Sequence, residues 1–164
     1  KLKSDEIWKY EMKELGYNYR ISDFQCALGI SQLKKLNKFL KKRKEIAQIY
    51  DNAFKNIEGI TIPKIKKGYS HAYHLYPLKI NFKKFRIKKD RFFRIMMRKK
   101  ILLQVHYIPI HYQPYYKKNF KYKKNDFPIS ENFYGEEVSL PIFFGLTKDN
   151  QKKVIINIKK LLRI

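Results

Sequence analysis

The chain has 164 residues, a formal net charge of +24 and 44% hydrophobic content, enough for one domain with a real core or for part of a larger one. Its longest uncharged run, residues 101–116, is too short to span a membrane, and two prolines, two histidines and two glutamines interrupt it. A single cysteine, Cys26, excludes an internal disulfide and suits a reducing, cytoplasmic setting; its apolar neighbours suggest a core thiol.

The charge is mostly lysine: of 38 basic residues, 31 are Lys and 7 are Arg. Base readout and bidentate phosphate grip favour Arg, and these lysines are spread along the chain rather than gathered in a stripe. The excess fits a lysine-heavy solvated surface. It leaves open the alternative of a basic nucleic-acid-binding module without catalysis.

The chain starts at Lys1 without Met, and Asp5–Leu15 reads as the interior of something, so an upstream portion is expected to be missing. "GYNYR", residues 16–20, leads into a helix. Ser22 suits its N-cap and Gln25, three later, completes a capping box. Apolar residues then recur at Leu33, Leu36, Leu40, Ala47, Tyr50 and Phe54, the spacing of one helical face. Lys34, Lys35, Lys38, Lys41, Lys42 and Lys44 occupy the other face. One helix is expected from Ser22 to near "NIEG" at 56–59, about 45 Å long at 1.5 Å per residue.

After Gly59 the texture changes. "ITIPKI" and "AYHLYPLKI" read as short strands, residues 88–99 as an amphipathic helix, and "ILLQVHYIPI" as a strand running into a Pro-bent loop. The lysine-rich segment 117–124 is a loop candidate. "ISENFYGEEV" suggests a short helix and "SLPIF" a brief extended piece. Thr147 can cap a last helix with Val154, Ile155, Ile158, Leu161 and Leu162 facing inward. The order indicates an α/β chain with a small, largely antiparallel sheet covered on one face by helices.

Three constellations could carry chemistry. His71 and His74 form an HxxH, and His106 and His111 lie five apart, but no cysteine pair or carboxylate sits beside them at ligand spacing, so no metal is expected. "QVHYIPIHYQPYY" crowds four tyrosines, two histidines and two prolines into an uncharged segment; it suits either sugar or nucleotide recognition or an aromatic core edge. Asn18 and Arg20 ahead of a helix N-terminus could meet an anion, or could be plain turn chemistry. The scattered acids form no local triad, and no Gly-rich phosphate loop is present.

The blocks "ELGYNYRISDFQCALGISQLKKLNKFLKKRKEIAQIYDNAF", "YHLYPLKI", "LQVHYIPIHYQPYY" and "EEVSLPIFFGLT", in that order, resemble the C-terminal half of the DegT/DnrJ/StrS family of pyridoxal-phosphate sugar aminotransferases. Within the family the resemblance leans to the branch that aminates C4 of a UDP-linked 4-keto-6-deoxy-N-acetyl sugar in pseudaminic acid biosynthesis. It implies the C-terminal part of a type I aminotransferase: residues 1–58 as the end of a large domain and a long interdomain helix, 59–164 as a small C-terminal domain. The N-terminal cofactor domain would be absent from this chain.

The resemblance also implies pyridoxal 5′-phosphate as cofactor, glutamate as donor, and a cytoplasmic homodimer with shared active sites that acts on neither nucleic acid nor membrane. By position, Asn18 matches an asparagine at the cofactor phosphate, reaching it across the dimer. Arg20 matches an arginine meeting the nucleotide sugar, with Tyr17 and Tyr19 as neighbours. His106, Tyr107, Ile108, Pro109 and Ile110 match the loop over the sugar nucleotide. The family's lysine block is absent, so the cofactor lysine is expected upstream and the chain alone is expected to be inactive. The glycines usual before the "QVHY" strand are also missing; Lys100 or Leu102 stands there, which implies a changed or strained turn.

Overall fold

The computed structural model describes Trp8 and residues 11–164. Of the stretch Asp5–Leu15, residues 5–7, 9 and 10 lie outside the described residues, and 11–15 form no helix or strand. Contacts group the chain into two compact units, Lys1–Leu36 and Asn37–Ile164.

The first unit ends in α1, Asp23–Leu33. Ser22 caps it as the sequence predicts: its Oγ accepts from the Gln25 N–H at 3.4 Å, and Gln25 Oε1 accepts from the Ser22 N–H at 2.9 Å. None of its residues is buried, so Cys26 is half-buried rather than a core thiol.

The single long helix is corrected to two, α1 and α2 (Leu36–Phe54), separated by a turn at Lys34–Lys35. Lys34 N–H still bonds the carbonyl four residues back, Ile30 O at 3.2 Å, but Lys35 N–H bonds Gln32 O, three back, at 3.0 Å. That switch tightens the backbone and ends the α-helical ladder. Neither Gly nor Pro marks the place, so periodicity alone runs straight through it.

In the second unit α2 buries Ile46, Ala47, Tyr50 and Phe54, while Lys38, Lys41 and Lys44 are exposed. The sheet has three antiparallel strands in the order β1 (Ile60–Thr61), β2 (Tyr76–Ile80) and β3 (Glu137–Leu140). Register pairs Tyr76 with Leu140 and Leu78 with Val138 on one face, and Pro77 with Ser139 and Lys79 with Glu137 on the other. The first face joins the hydrophobic core. There it meets α2, α3 (Lys89–Arg98) through Phe92 and Met96, and α6 (Lys148–Leu162) through Val154, Ile158 and Leu162. Thr147 caps α6, its Oγ1 accepting from Asn150 N–H.

Polar bonds lock this core. The Tyr50 hydroxyl donates to Pro141 O at 2.9 Å and the Tyr76 hydroxyl to Asp51 at 2.6 Å. Burial pushes both phenols far above their ordinary range, so neither ionises in the folded chain.

Two further expectations change. The segment 117–124 is not all loop: α4, Pro114–Phe120, begins at a proline that suits a first helical position. "ILLQVHYIPI" forms no strand; it makes one antiparallel bridge, Gln104 to Ser139. His71 and His74 are exposed and lie outside any strand.

Candidate functional site

The segment before α1 arrives fully exposed, Asn18, Tyr19 and Arg20 included. The Tyr17 and Tyr19 rings stack at 5.1 Å with planes 10° apart. Among the described residues neither Asn18 nor Arg20 makes a side-chain hydrogen bond. Two donors without a side-chain partner among the described residues thus stand just ahead of the first turn of a helix, where backbone N–H groups also favour an anion.

The second segment is built on the edge of β3. The Gln104–Ser139 bridge, with Gln104 N–H on Ser139 O at 3.3 Å and Ser139 N–H on Gln104 O at 2.8 Å, would place His106 opposite Glu137. There the side chain replaces the ladder. The His106 N–H donates to Glu137 Oε2 at 3.0 Å, so strand pairing stops after one bridge. Glu137 is 1% exposed. Its Oε1 accepts from the Ser139 hydroxyl at 2.5 Å, and Ser139 Oγ lies 2.7 Å from His106 Nδ1.

Pro109 is buried and anchors the middle of the loop. Beyond it a short 3-10 turn, Ile110–Tyr112, leads into α4. This end is held by Glu131 of α5 (Pro128–Glu136). Tyr112 donates to Glu131 Oε2 at 2.5 Å, buried His111 contacts Oε1 at 3.1 Å through Nε2, and the Asn125 N–H reaches the same carboxylate at 2.8 Å. The Tyr112 hydroxyl above all, with the N–H groups of Asn125 and Phe127 and with His111, lowers the Glu131 carboxyl to about 2. The same bond raises the Tyr112 phenol to about 12.

Between these two clamps Tyr107 is 75% exposed, and Ile108 and Ile110 also face solvent. His106 is half-buried. The result is a fixed loop presenting one phenol, one imidazole and two aliphatic side chains. Behind it Lys89 donates to the Tyr134 carbonyl and sits 4.7 Å over the Tyr134 ring. Burial lowers the Lys89 pKa, and the Glu137 charge acts in the opposite sense.

The two groups of candidate residues belong to separate units, one group to each. Glu131, Glu137, Ser139 and Lys89 escape sequence reasoning, because a buried carboxylate looks like any surface acid until its partners are known. Among the described residues no cluster of three or more His, Cys, Asp or Glu side chains could hold a metal ion, and no helix is long and apolar enough to cross a membrane.

A family model described as the DegT/DnrJ/EryC1/StrS aminotransferase family matches residues 2–159. An uncharacterized protein of Methanocaldococcus jannaschii is 44% identical over 158 residues, 96% of this chain and 41% of that protein. The UDP-4-amino-4,6-dideoxy-N-acetyl-beta-L-altrosamine transaminase of Campylobacter jejuni (serotype O:2) is 42% identical over 135 residues, 82% of this chain and 35% of the transaminase. Among solved structures, Helicobacter pylori PseC, an aminotransferase involved in pseudaminic acid biosynthesis, superimposes with a TM-score of 0.84 at 31% identity, covering 98% of this chain and 42% of PseC. The chain thus spans about two-fifths of the length of the relatives it matches.

Proposed function

Because the chain belongs to the DegT/DnrJ/EryC1/StrS aminotransferase family, we propose that it is the C-terminal part of a pyridoxal-phosphate enzyme that moves an amino group from glutamate to C4 of a UDP-linked 4-keto-6-deoxy-N-acetyl sugar. The observation that carries this reading is the 42% identity to the Campylobacter transaminase. Bound pyridoxal phosphate supplies the electron sink for moving nitrogen between amino acid and ketone. The lysine that bonds the cofactor is assigned to a preceding domain.

What this chain supplies is placement. The donor set fits a phosphorylated cofactor and a diphosphate substrate: Asn18 and Arg20 are exposed donors with no competing hydrogen bond among the described residues. Asn18 holds the cofactor phosphate of a partner subunit through its amide N–H groups, and Arg20 meets the nucleotide diphosphate, where a planar guanidinium can donate two parallel bonds. Tyr19 flanks them. Residues 106–110 cover the sugar nucleotide: Tyr107 and His106 offer polar contacts, Ile108 and Ile110 exclude water, and Pro109 fixes the bend. In α1, Phe24, Leu28 and Ile30 remain exposed; they are assigned to the subunit interface of a homodimer, so that "GYNYR" enters the neighbouring site.

The test uses the complete protein. The visible absorbance of bound cofactor should be bleached by glutamate and restored by the 4-keto UDP-sugar. Asn18→Ala should weaken cofactor retention, and Arg20→Ala should raise the KM for the UDP-sugar. Unchanged retention and unchanged KM would remove both residues from the site. A complete, folded protein that binds no cofactor would leave only the scaffold in common.

A further inference from the structure

The hydrogen-bonded series His106–Ser139–Glu137 ends in an imidazole nitrogen with no partner among the described residues, His106 Nε2. No buried side-chain nitrogen or oxygen among them lacks a partner, so Nε2 is open to solvent. We infer that Glu137 and Ser139 fix the His106 ring in the Nδ1-protonated tautomer, so that His106 meets its ligand through an unprotonated Nε2 that accepts a hydrogen bond from a sugar hydroxyl or amide N–H. The identity of that ligand rests on the function proposed above; the series itself does not.

The direction of the series follows from the acid at its end. Glu137 takes donors on both oxygens, the His106 N–H on Oε2 and the Ser139 hydroxyl on Oε1. A carboxylate can only accept, and two donors at once favour that form. The single hydroxyl proton of Ser139 is therefore spent on Glu137. What remains at its oxygen is a lone pair, and at 2.7 Å only an N–H on Nδ1 can satisfy the contact. A neutral imidazole protonated at Nδ1 has its lone pair at Nε2.

The opposite order, Glu137 protonated and donating to Ser139, would leave the His106 backbone N–H on the oxygen of a neutral acid. It would leave Nε2 as a donor. The two orders thus predict opposite chemistry at the imidazole nitrogen that faces out, and the two donors on Glu137 favour the first. Residues 137 and 139 share a face of β3, and the bridge at Gln104 sets His106 across from them. Glu137 and Ser139 are positioning residues: they orient His106 without themselves touching the ligand. The two acids of this region divide the work, with Glu131 fixing the far end of the loop and Glu137 fixing the imidazole.

The experiment is histidine 15N NMR of the complete protein, followed to the alkaline plateau of a pH series, where the imidazole is neutral, with the His106 signal assigned by its loss in His106→Ala. The expected result is an Nε2 resonance in the unprotonated, pyridine-like range. Ser139→Ala should mix the two tautomers and raise the KM for the 4-keto UDP-sugar about five- to tenfold, the worth of one oriented hydrogen bond, with glutamate bleaching unchanged. Ser139→Thr, which keeps the hydroxyl, should restore both. Glu137→Gln serves as the second variant and should also release the tautomer. A protonated Nε2 in the unaltered protein overturns the inference, as does a tautomer indifferent to Ser139→Ala. If the unaltered protein shows no transamination, the functional reading falls, while an Nδ1-protonated His106 in the same sample still upholds the series.

Discussion

Tyr112 and Glu131 are joined by a 2.5 Å bond from phenol to carboxylate, and the loop that carries the exposed Tyr107 and Ile110 ends on that bond. The Glu131 carboxyl is lowered from an ordinary 4.5 to about 2, first by Tyr112. A depressed carboxyl adds stability that is complete above its unfolded value and is lost as pH falls through the folded one. The 110–131 segment should therefore hold its order down to about pH 4.5 and loosen progressively between there and about pH 2. Amide exchange at Asn125 and Phe127, whose N–H groups bond this carboxylate, reads the transition. Glu131→Gln should remove the acid limb; an unchanged limb would assign it to another group.

Lys100 sits where a glycine would be expected, at φ +59°. It closes α3 with paired bonds, Lys100 N–H to Met97 O at 2.8 Å and Ile101 N–H to Met96 O at 3.0 Å. Buried Ile101 and Met96 supply the accompanying apolar contact. The geometry is that of a glycine-terminated helix built with a side chain in the left-handed region, which costs about 1–2 kcal/mol. Lys100→Gly relieves that strain but adds freedom to the unfolded chain. The net effect should be a gain of about 0.5–1 kcal/mol in urea unfolding. A loss would mean that the lysine stem packs usefully.

The Lys100 turn was legible because the expected residue type was missing at a known place. The capping box at Ser22, the Thr147 cap and the inward residues of α6 were legible too, since each depends on neighbours within one helical turn. The break at Lys34–Lys35 was not, because a switch from i−4 to i−3 bonding leaves no mark in the apolar spacing. The failed strand at 101–110 shows another limit. It reads as a strand, but a carboxylate 31 residues away takes the His106 N–H that a ladder would use. Candidate residues on exposed segments could be named by type and position; the buried groups that orient them could not.

Arg43 is a second long-range fastening. One guanidinium nitrogen donates to the carbonyls of Tyr73, His74 and Ile142 at 2.9, 3.1 and 3.1 Å. It ties α2 to the approach to β2, 30 residues further on, and to the exit of β3, 99 residues further on. A bond from a charged donor contributes about 1.5–3 kcal/mol, and carbonyls left without a partner cost more when water cannot reach them. Arg43→Met keeps the stem and removes the donors, and should destabilise the fold by about 1–3 kcal/mol. Arg43→Lys should recover only part, since a point ammonium lacks the planar fork. Equal stability of wild type and Arg43→Met in urea would show that water replaces the guanidinium.

Helix α1 gives the last prediction. It buries no residue, and Phe24, Leu28, Ile30 and Leu33 are each more than half exposed. Apolar surface gathered on one short helix marks a buried contact in the working assembly. Expressed by itself, the 164-residue chain should self-associate and bind an apolar dye such as ANS, with association strengthening as salt screens the +24 net charge. Phe24→Glu with Leu28→Lys should make it monodisperse with unchanged helix content, because α1 is already capped by Ser22 and Gln25. If the complete protein is the homodimer proposed above, the same pair should split it and weaken cofactor retention, the role proposed for Asn18. A monomeric wild-type fragment at high salt, or a double variant that still dimerises and retains cofactor, would take α1 out of the interface.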